Sequence, residues 1–167
     1  MNIRWDRDNC RQTYQIFDAA LRQMVNVDMV VVCLVRNELN GERKLDSKAV
    51  YSEMANGTRG VPYMPRPFPK GMCKIVAIIP KDSPYEAPEF ISTDAHQPVE
   101  EWSIKPDGTY DKPTGRMVED FGYGEHNSTS STTLGCGHIL SPDERRTFVA
   151  AIQAAWANGE TVTLEVG

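Results

Sequence analysis

Cys136 stands between two glycines, in Thr133-Leu134-Gly135-Cys136-Gly137-His138. Glycine frees the backbone to bend, so a thiol at this place is set on a turn where it can be reached. Its neighbouring N–H groups can then point at a substrate oxygen. His126 lies ten residues upstream. A tract of Asn, Ser and Thr between them can fold back and bring imidazole to sulfur. Such a pair ionises the thiol near neutral pH and makes it a nucleophile. The competing reading is a packed thiol, because free cysteine is among the most buried residue types. The tract here is polar, glycine-flanked and free of Lys and Arg, which favours the reactive couple.

The spacing His126…Thr133-Leu-Gly-Cys136 resembles the catalytic motif of the L,D-transpeptidase family, in the compact branch that includes phage proteins and type VI secretion effectors. Pro65-Arg-Pro67-Phe-Pro69-Lys-Gly71 before the apolar run Met72–Ile79 is similar to that family's Pro-rich turn and central strand. Asp143…Phe148…Ile152…Ala155, followed by Val162–Val166, is similar to its last helix and closing strand. This chain has Leu134 where the family usually has histidine. It has Gly137-His138 where the family has an apolar residue and often arginine.

The resemblance implies a β-rich, sandwich-like domain that acts on peptidoglycan stem peptides. Cys136 would attack the carbonyl of the L-centre of diaminopimelate, with His126 as base and then acid. Gly135 and Cys136 would supply the oxyanion N–H groups. Tyr123, Ser128, Thr133 and His138 are the expected substrate-side or tautomer-fixing groups, with Asp120 a further candidate close by. No metal or cofactor is called for. Two alternatives stay open: another cysteine amidase or endopeptidase, and a non-catalytic phage or secretion-linked binding module.

The composition fits these readings. The chain has 167 residues, enough for one domain with a sizeable core. Its net charge of −5 and its scattered Lys and Arg argue against a nucleic-acid partner. Cys10, Cys33, Cys73 and Cys136 form no CxxC and no zinc spacing. Cys33 and Cys73 lie in apolar runs and are expected to be buried. No stretch is long and apolar enough to span a membrane. The N-terminus lacks the apolar segment of a signal peptide. Synthesis in the cytoplasm and delivery to the periplasm, by a secretion system or by phage lysis, are therefore expected. A secretion component or an immunity protein would be the partner of such an effector.

The elements that must position these residues read as α+β, mainly β, in a single domain over 1–167. Residues 1–44 would be an N-terminal helix and hairpin elaboration, and 45–167 the catalytic core. Tyr14, Phe17, Leu21 and Met24 recur at helical spacing and predict a helix over 8–25 capped by Asp8. Alternation at Thr13–Phe17 offers a strand instead. Strands are expected at Asp28–Arg36, Met72–Ile79, Glu89–Thr93, Val99–Ile104, Met117–Tyr123 and Thr161–Val166. A hairpin partner is expected at Leu45–Met54, after an Asn40-Gly41 turn. Val61–Lys70, with four prolines, is no central strand. It is either a loop packed by its aromatics or a wall of the cleft. Lys105–Arg116 reads as a polar loop, and His96 as a solvated loop histidine. Ser141-Pro142-Asp143-Glu144 is a capping box that opens a helix ending at Asn158-Gly159.

Overall fold

The computed structural model describes residues 1–35, 50–53, 59–80, 89–128 and 133–167. The Asn40-Gly41 turn and residues 45–49 and 54 of the expected Leu45–Met54 partner fall outside these residues, and Tyr51–Glu53 pairs with Arg59–Pro62 in place of the expected Asp28–Arg36. In chain order the strands are β1 Asn2–Asp6, β2 Arg11–Asp18, β3 Gln23–Val32, β4 Tyr51–Glu53, β5 Arg59–Pro62 and β6 Gly71–Ile79. There follow β7 Phe90–Thr93, β8 Gln97–Ile104, β9 Tyr110–Asp120, β10 Gly124–Asn127 and β11 Gly137–Ile139. Helix α1, Pro142–Ala157, precedes the last strand, β12 Thr163–Val166.

Eight strands close a barrel in the order β1-β12-β6-β7-β10-β11-β3-β2. Two pairs are parallel, β1 with β12 and β10 with β11. Strands β4–β5 and β8–β9 form separate two-stranded ribbons. Closure pairs every stave on both sides, which removes the open edges that two stacked sheets would leave. The architecture is thus mainly β with a C-terminal helix, but a barrel stands in place of the expected sandwich. Residues 1–32 supply three staves, so they belong to the barrel and are not an elaboration beside it.

Alternation makes the core. Ile3 and Trp5 of β1 face inward, while Asn2, Arg4 and Asp6 are exposed. Met29 and Val31 of β3, Cys73 and Ile75 of β6, Ile91, Ile139 and Leu164 join them. Helix α1 adds Phe148, Ile152 and Ala155 to the same cluster. The helix starts where expected: Ser141 Oγ accepts from the Glu144 N–H at 3.2 Å, and Pro142 opens the first turn. It ends at Asn158, with Gly159 at φ 76°.

The expected helix over 8–25 is corrected to the β2–β3 hairpin. The apolar residues at helical spacing do not share a face: Tyr14 is in the core, while Phe17, Leu21 and Met24 lie exposed near the hairpin tip. Asp18 Oδ1 accepts from the N–H groups of Ala20 and Leu21 at 2.9 and 3.0 Å and makes the turn. Asp8 caps nothing and pairs with Lys70 at 2.6 Å. Helix propensity here was overridden by ladder partners on both sides, Arg4–Asp6 of β1 and Gln23–Val30 of β3. Part of the expected loop 105–116 is likewise strand, since β9 pairs along β8 from Tyr110 to Asp120.

Candidate functional site

The site is set by the register of one parallel pair. Glu125 pairs with Gly137, His126 with His138, and Asn127 with Ile139. Glu125, Asn127, Gly137 and Ile139 are buried on the inward face of the two strands. His126 and His138 therefore project from the outer face. Cys136 lies in the bend that runs into β11, two residues before His138.

The histidines meet directly. Their ring centroids are 4.6 Å apart at 65°. Phe90, the ladder partner of His126 on its other side, lies 5.9 Å from the imidazole. His126 and Cys136 are half-buried, and His138 is 6% exposed. His126 Nδ1 is 3.2 Å from the Asn127 carbonyl oxygen. A carbonyl only accepts, so this bond puts the proton on Nδ1 and leaves Nε2 as the basic nitrogen.

The turn that carries the thiol is built tightly. Gly135 has φ 134°, and a Cβ there would lie 2.8 Å from Tyr123 Cε1 and 2.9 Å from the Arg66 carbonyl oxygen. Only glycine fits. Its N–H donates to Thr133 Oγ1 at 3.2 Å. Its carbonyl accepts from Cys33 Sγ at 3.3 Å, and Cys33 Sγ in turn accepts from the Phe68 N–H at 3.3 Å. The Cys136 thiol points to the Gly122 carbonyl at 3.8 Å. Gly124 is close-packed too, since a Cβ would run into the Phe90 ring and the Ile91 carbonyl.

Behind this turn lies a buried polar network. Tyr123 donates to Asp120 Oδ2 at 2.9 Å and accepts from Gln97 Nε2 at 2.8 Å. Gln97 also donates to the Pro67 carbonyl at 2.6 Å. Burial first, and then the Asp120 charge, push the phenols of Tyr63 and Tyr123 well above their ordinary range. Both stay protonated donors at neutral pH. Burial pushes the Cys73 thiol up to about 12, which makes it inert as a nucleophile.

The expected residues thus separate into groups. His126 and His138 share one outer face, and Cys136 lies in the bend just before β11. Tyr123 is 2% exposed and supports Gly135 from beneath, where a substrate contact was expected. Thr133 is buried and braces Gly135, so the Gly135 N–H expected to hold an oxyanion is engaged by a side chain. Ser128 is buried, with its N–H donating to the Ile139 carbonyl at 3.2 Å. His96 pairs with Glu119 at 2.6 Å and stacks on Phe121 at 5.3 Å. The Pro-rich segment packs by its aromatics, the first of the two readings. Phe68 is fully buried against Trp5, and the Arg66 and Pro67 carbonyls back the Cys136 turn.

Sequence reasoning missed Cys33, Gln97 and Phe90 as site-building residues. All come from segments distant in the chain, and only strand pairing brings them close. Among the described residues, no three His, Cys, Asp or Glu side chains gather as a metal site. A concavity of about 1130 Å³ lies elsewhere, between the β2–β3 hairpin and α1, with Phe17, Met24 and Ala151 in its walls. Neither Cys136 nor His126 lines it. No helix among the described residues is long and apolar enough to cross a membrane. Comparison with known proteins finds no matching family model, no matching curated protein and no matching solved structure.

Proposed function

We propose that Cys136 and His126 are the nucleophile and base of a peptidoglycan acyl transferase or hydrolase of the L,D-transpeptidase type. The observation that supports this reading is the β10–β11 register, which pairs His126 with His138, two residues after Cys136. The tautomer favoured by the Asn127 carbonyl leaves His126 Nε2 to take the thiol proton.

In this mechanism Cys136 Sγ bonds to the carbonyl carbon of a stem-tetrapeptide amide as its proton passes to His126 Nε2. The oxyanion is held by the N–H of Cys136 and by that of Gly135, the latter exchanging its bond to Thr133 Oγ1. Collapse breaks the C–N bond, and the departing D-alanine amine takes the proton from Nε2. The thioester then passes its acyl group to water, to a D-amino acid, or to the amine of another stem. His138 flanks the base and steadies its ring. Placed against a cell wall, such an enzyme works in the periplasm after delivery by secretion or phage lysis. A producing cell would need an immunity partner.

Digestion of purified sacculi with mass analysis of the muropeptides tests the reading. Loss of tetrapeptide with gain of tripeptide, D-amino-acid exchange, or new diaminopimelate–diaminopimelate dimers supports it. Release of whole stems shows an amidase instead, and unchanged muropeptides show a binding module.

A further inference from the structure

The barrel interior holds a polar cluster that the Cys136 chemistry does not use. Gln12, Glu125 and Arg145 are 0% exposed, and Tyr14 is 2% exposed. Gln12 Nε2 donates to Glu125 Oε2 at 3.1 Å and to Met29 Sδ at 3.6 Å. Arg145 Nη2 donates to the Glu89 carbonyl at 2.8 Å and to Glu89 Oε2 at 3.1 Å. Gln12 Oε1, Tyr14 OH, Glu125 Oε1, and Arg145 Nε and Nη1 have no hydrogen-bond partner among the described residues. Native interiors rarely leave such atoms unsatisfied, because each costs about 1–3 kcal/mol.

These atoms belong to one neighbourhood. Gln12 and Tyr14 are alternate inward residues of β2. The Tyr14 ring lies 5.1 Å from Phe148, one helical turn beyond Arg145. Arg145 and Glu125 attract each other. The set is complementary: Arg145 offers donors, Glu125 and Gln12 offer acceptors, and Tyr14 does both. Water is the molecule that bridges such a set, and buried waters typically make about three hydrogen bonds each.

The cluster touches the site through Glu125. Its carboxyl is pushed up to about 7 by burial, against the Gln12 hydrogen bond and the Arg145 charge. Around it stand Gln12 from β2, Arg145 from α1 with Glu89 beyond, and Cys73 from β6 beside Asp94. Glu144 acts on Tyr14. Glu125 precedes His126 and pairs with Gly137, the residue after Cys136. Its Cγ is 3.0 Å from where a Gly137 Cβ would be, so the side chain lies against the thiol-bearing strand.

We propose that Glu125 is a positioning residue, held with Gln12, Tyr14 and Arg145 around buried bridging water, whose ionisation alters the β10–β11 pairing and so the meeting of His126 with Cys136. This rests on the Cys136–His126 couple assigned above but not on the peptidoglycan substrate. A neutral carboxyl stays with Gln12 and the Gly137 face. An ionised one is drawn toward Arg145 and demands more water in the barrel.

The test is a carboxyl ¹³C titration of Glu125, read together with the amide shifts of Asn127 and Ile139 and with the Cys136 alkylation rate. The wild-type chain suffices for the first measurement. The expected result is a Glu125 midpoint near neutral pH, shared by both amides, and moved upward by about one unit or more in Arg145→Gln. In Glu125→Gln the shared inflection vanishes, while any inflection owed to His126 persists. The alkylation profile loses the same limb. A carboxyl that titrates below about pH 5, or amides that behave alike with and without Glu125, overturns the proposal. Shared titration with a Cys136 that resists alkylation sinks the reactive couple, and the positioning role with it. A reactive Cys136 without shared titration sinks only the positioning role.

Discussion

His126 and His138 are paired across two parallel strands, with ring centroids 4.6 Å apart. In the proposed couple His126 is the base, held between His138 and Phe90 and oriented by the Asn127 carbonyl.

His126→Ala is expected to slow alkylation of Cys136 by iodoacetamide at pH 7 by roughly 10²-fold, the usual range for a lost general base. Mass analysis of the tryptic peptides reports each thiol separately. Buried Cys33 and Cys73 serve as slow internal references. Equal slow rates at all thiols, unmoved by the substitution, would rule out the couple.

Gly135→Ala places a methyl between Tyr123 and the Arg66 carbonyl at a positive φ. The strain alone costs on the order of 1–3 kcal/mol, and the clash adds to it. Thermal unfolding should show a drop of several degrees, with Cys136 reactivity altered even where the protein remains folded. A melting point equal to that of the parent would show that the turn is looser than described.

Tyr123→Phe removes a donor to the buried Asp120 carboxylate and the acceptor for Gln97. Losing a buried hydrogen bond to a charged group costs about 1.5–3 kcal/mol. Urea denaturation measures this directly. Little change in the midpoint would move the support of the Gly135 turn away from this phenol.

Glu125 makes stability depend on pH. Its carboxyl is raised from 4.5 to about 7 on folding. Below pH 4.5 the group is protonated in both states and costs nothing. As pH rises from there to about 7, the unfolded chain loses the proton first and stability falls, after which it levels off. The total is on the order of 3 kcal/mol at about 1.4 kcal/mol per unit. Glu125→Gln should flatten that slope in chemical denaturation at pH 5 and pH 7.5. An identical slope in both proteins would be evidence against burial of the charge.

Some elements were plain from residue order because their signals are local. The Ser141–Glu144 cap, the α1 stripe, and the strands at Met72–Ile79 and Val162–Val166 need only neighbours within one element. The β2–β3 hairpin was not legible. Tyr14, Phe17, Leu21 and Met24 satisfy a helical period by coincidence, and what decides against it is the ladder with β1 and β3.

For the site, the residue types alone determined that Cys136 sits on a glycine-framed turn and that His126 and His138 are the imidazoles near it in the chain. Local patterns likewise pointed to a mainly β domain with a capped C-terminal helix. Tertiary structure decided which histidine meets which and that Tyr123 and Thr133 brace the turn from the buried side. It also decided that Cys33, Gln97 and the Arg66 and Pro67 carbonyls complete that support. The physical reason is that barrel closure and strand register are long-range. A one-residue slip in the β10–β11 pairing would part His126 from His138 and Glu125 from Gly137, and the flanking ladders with β7 and β3 hold that register.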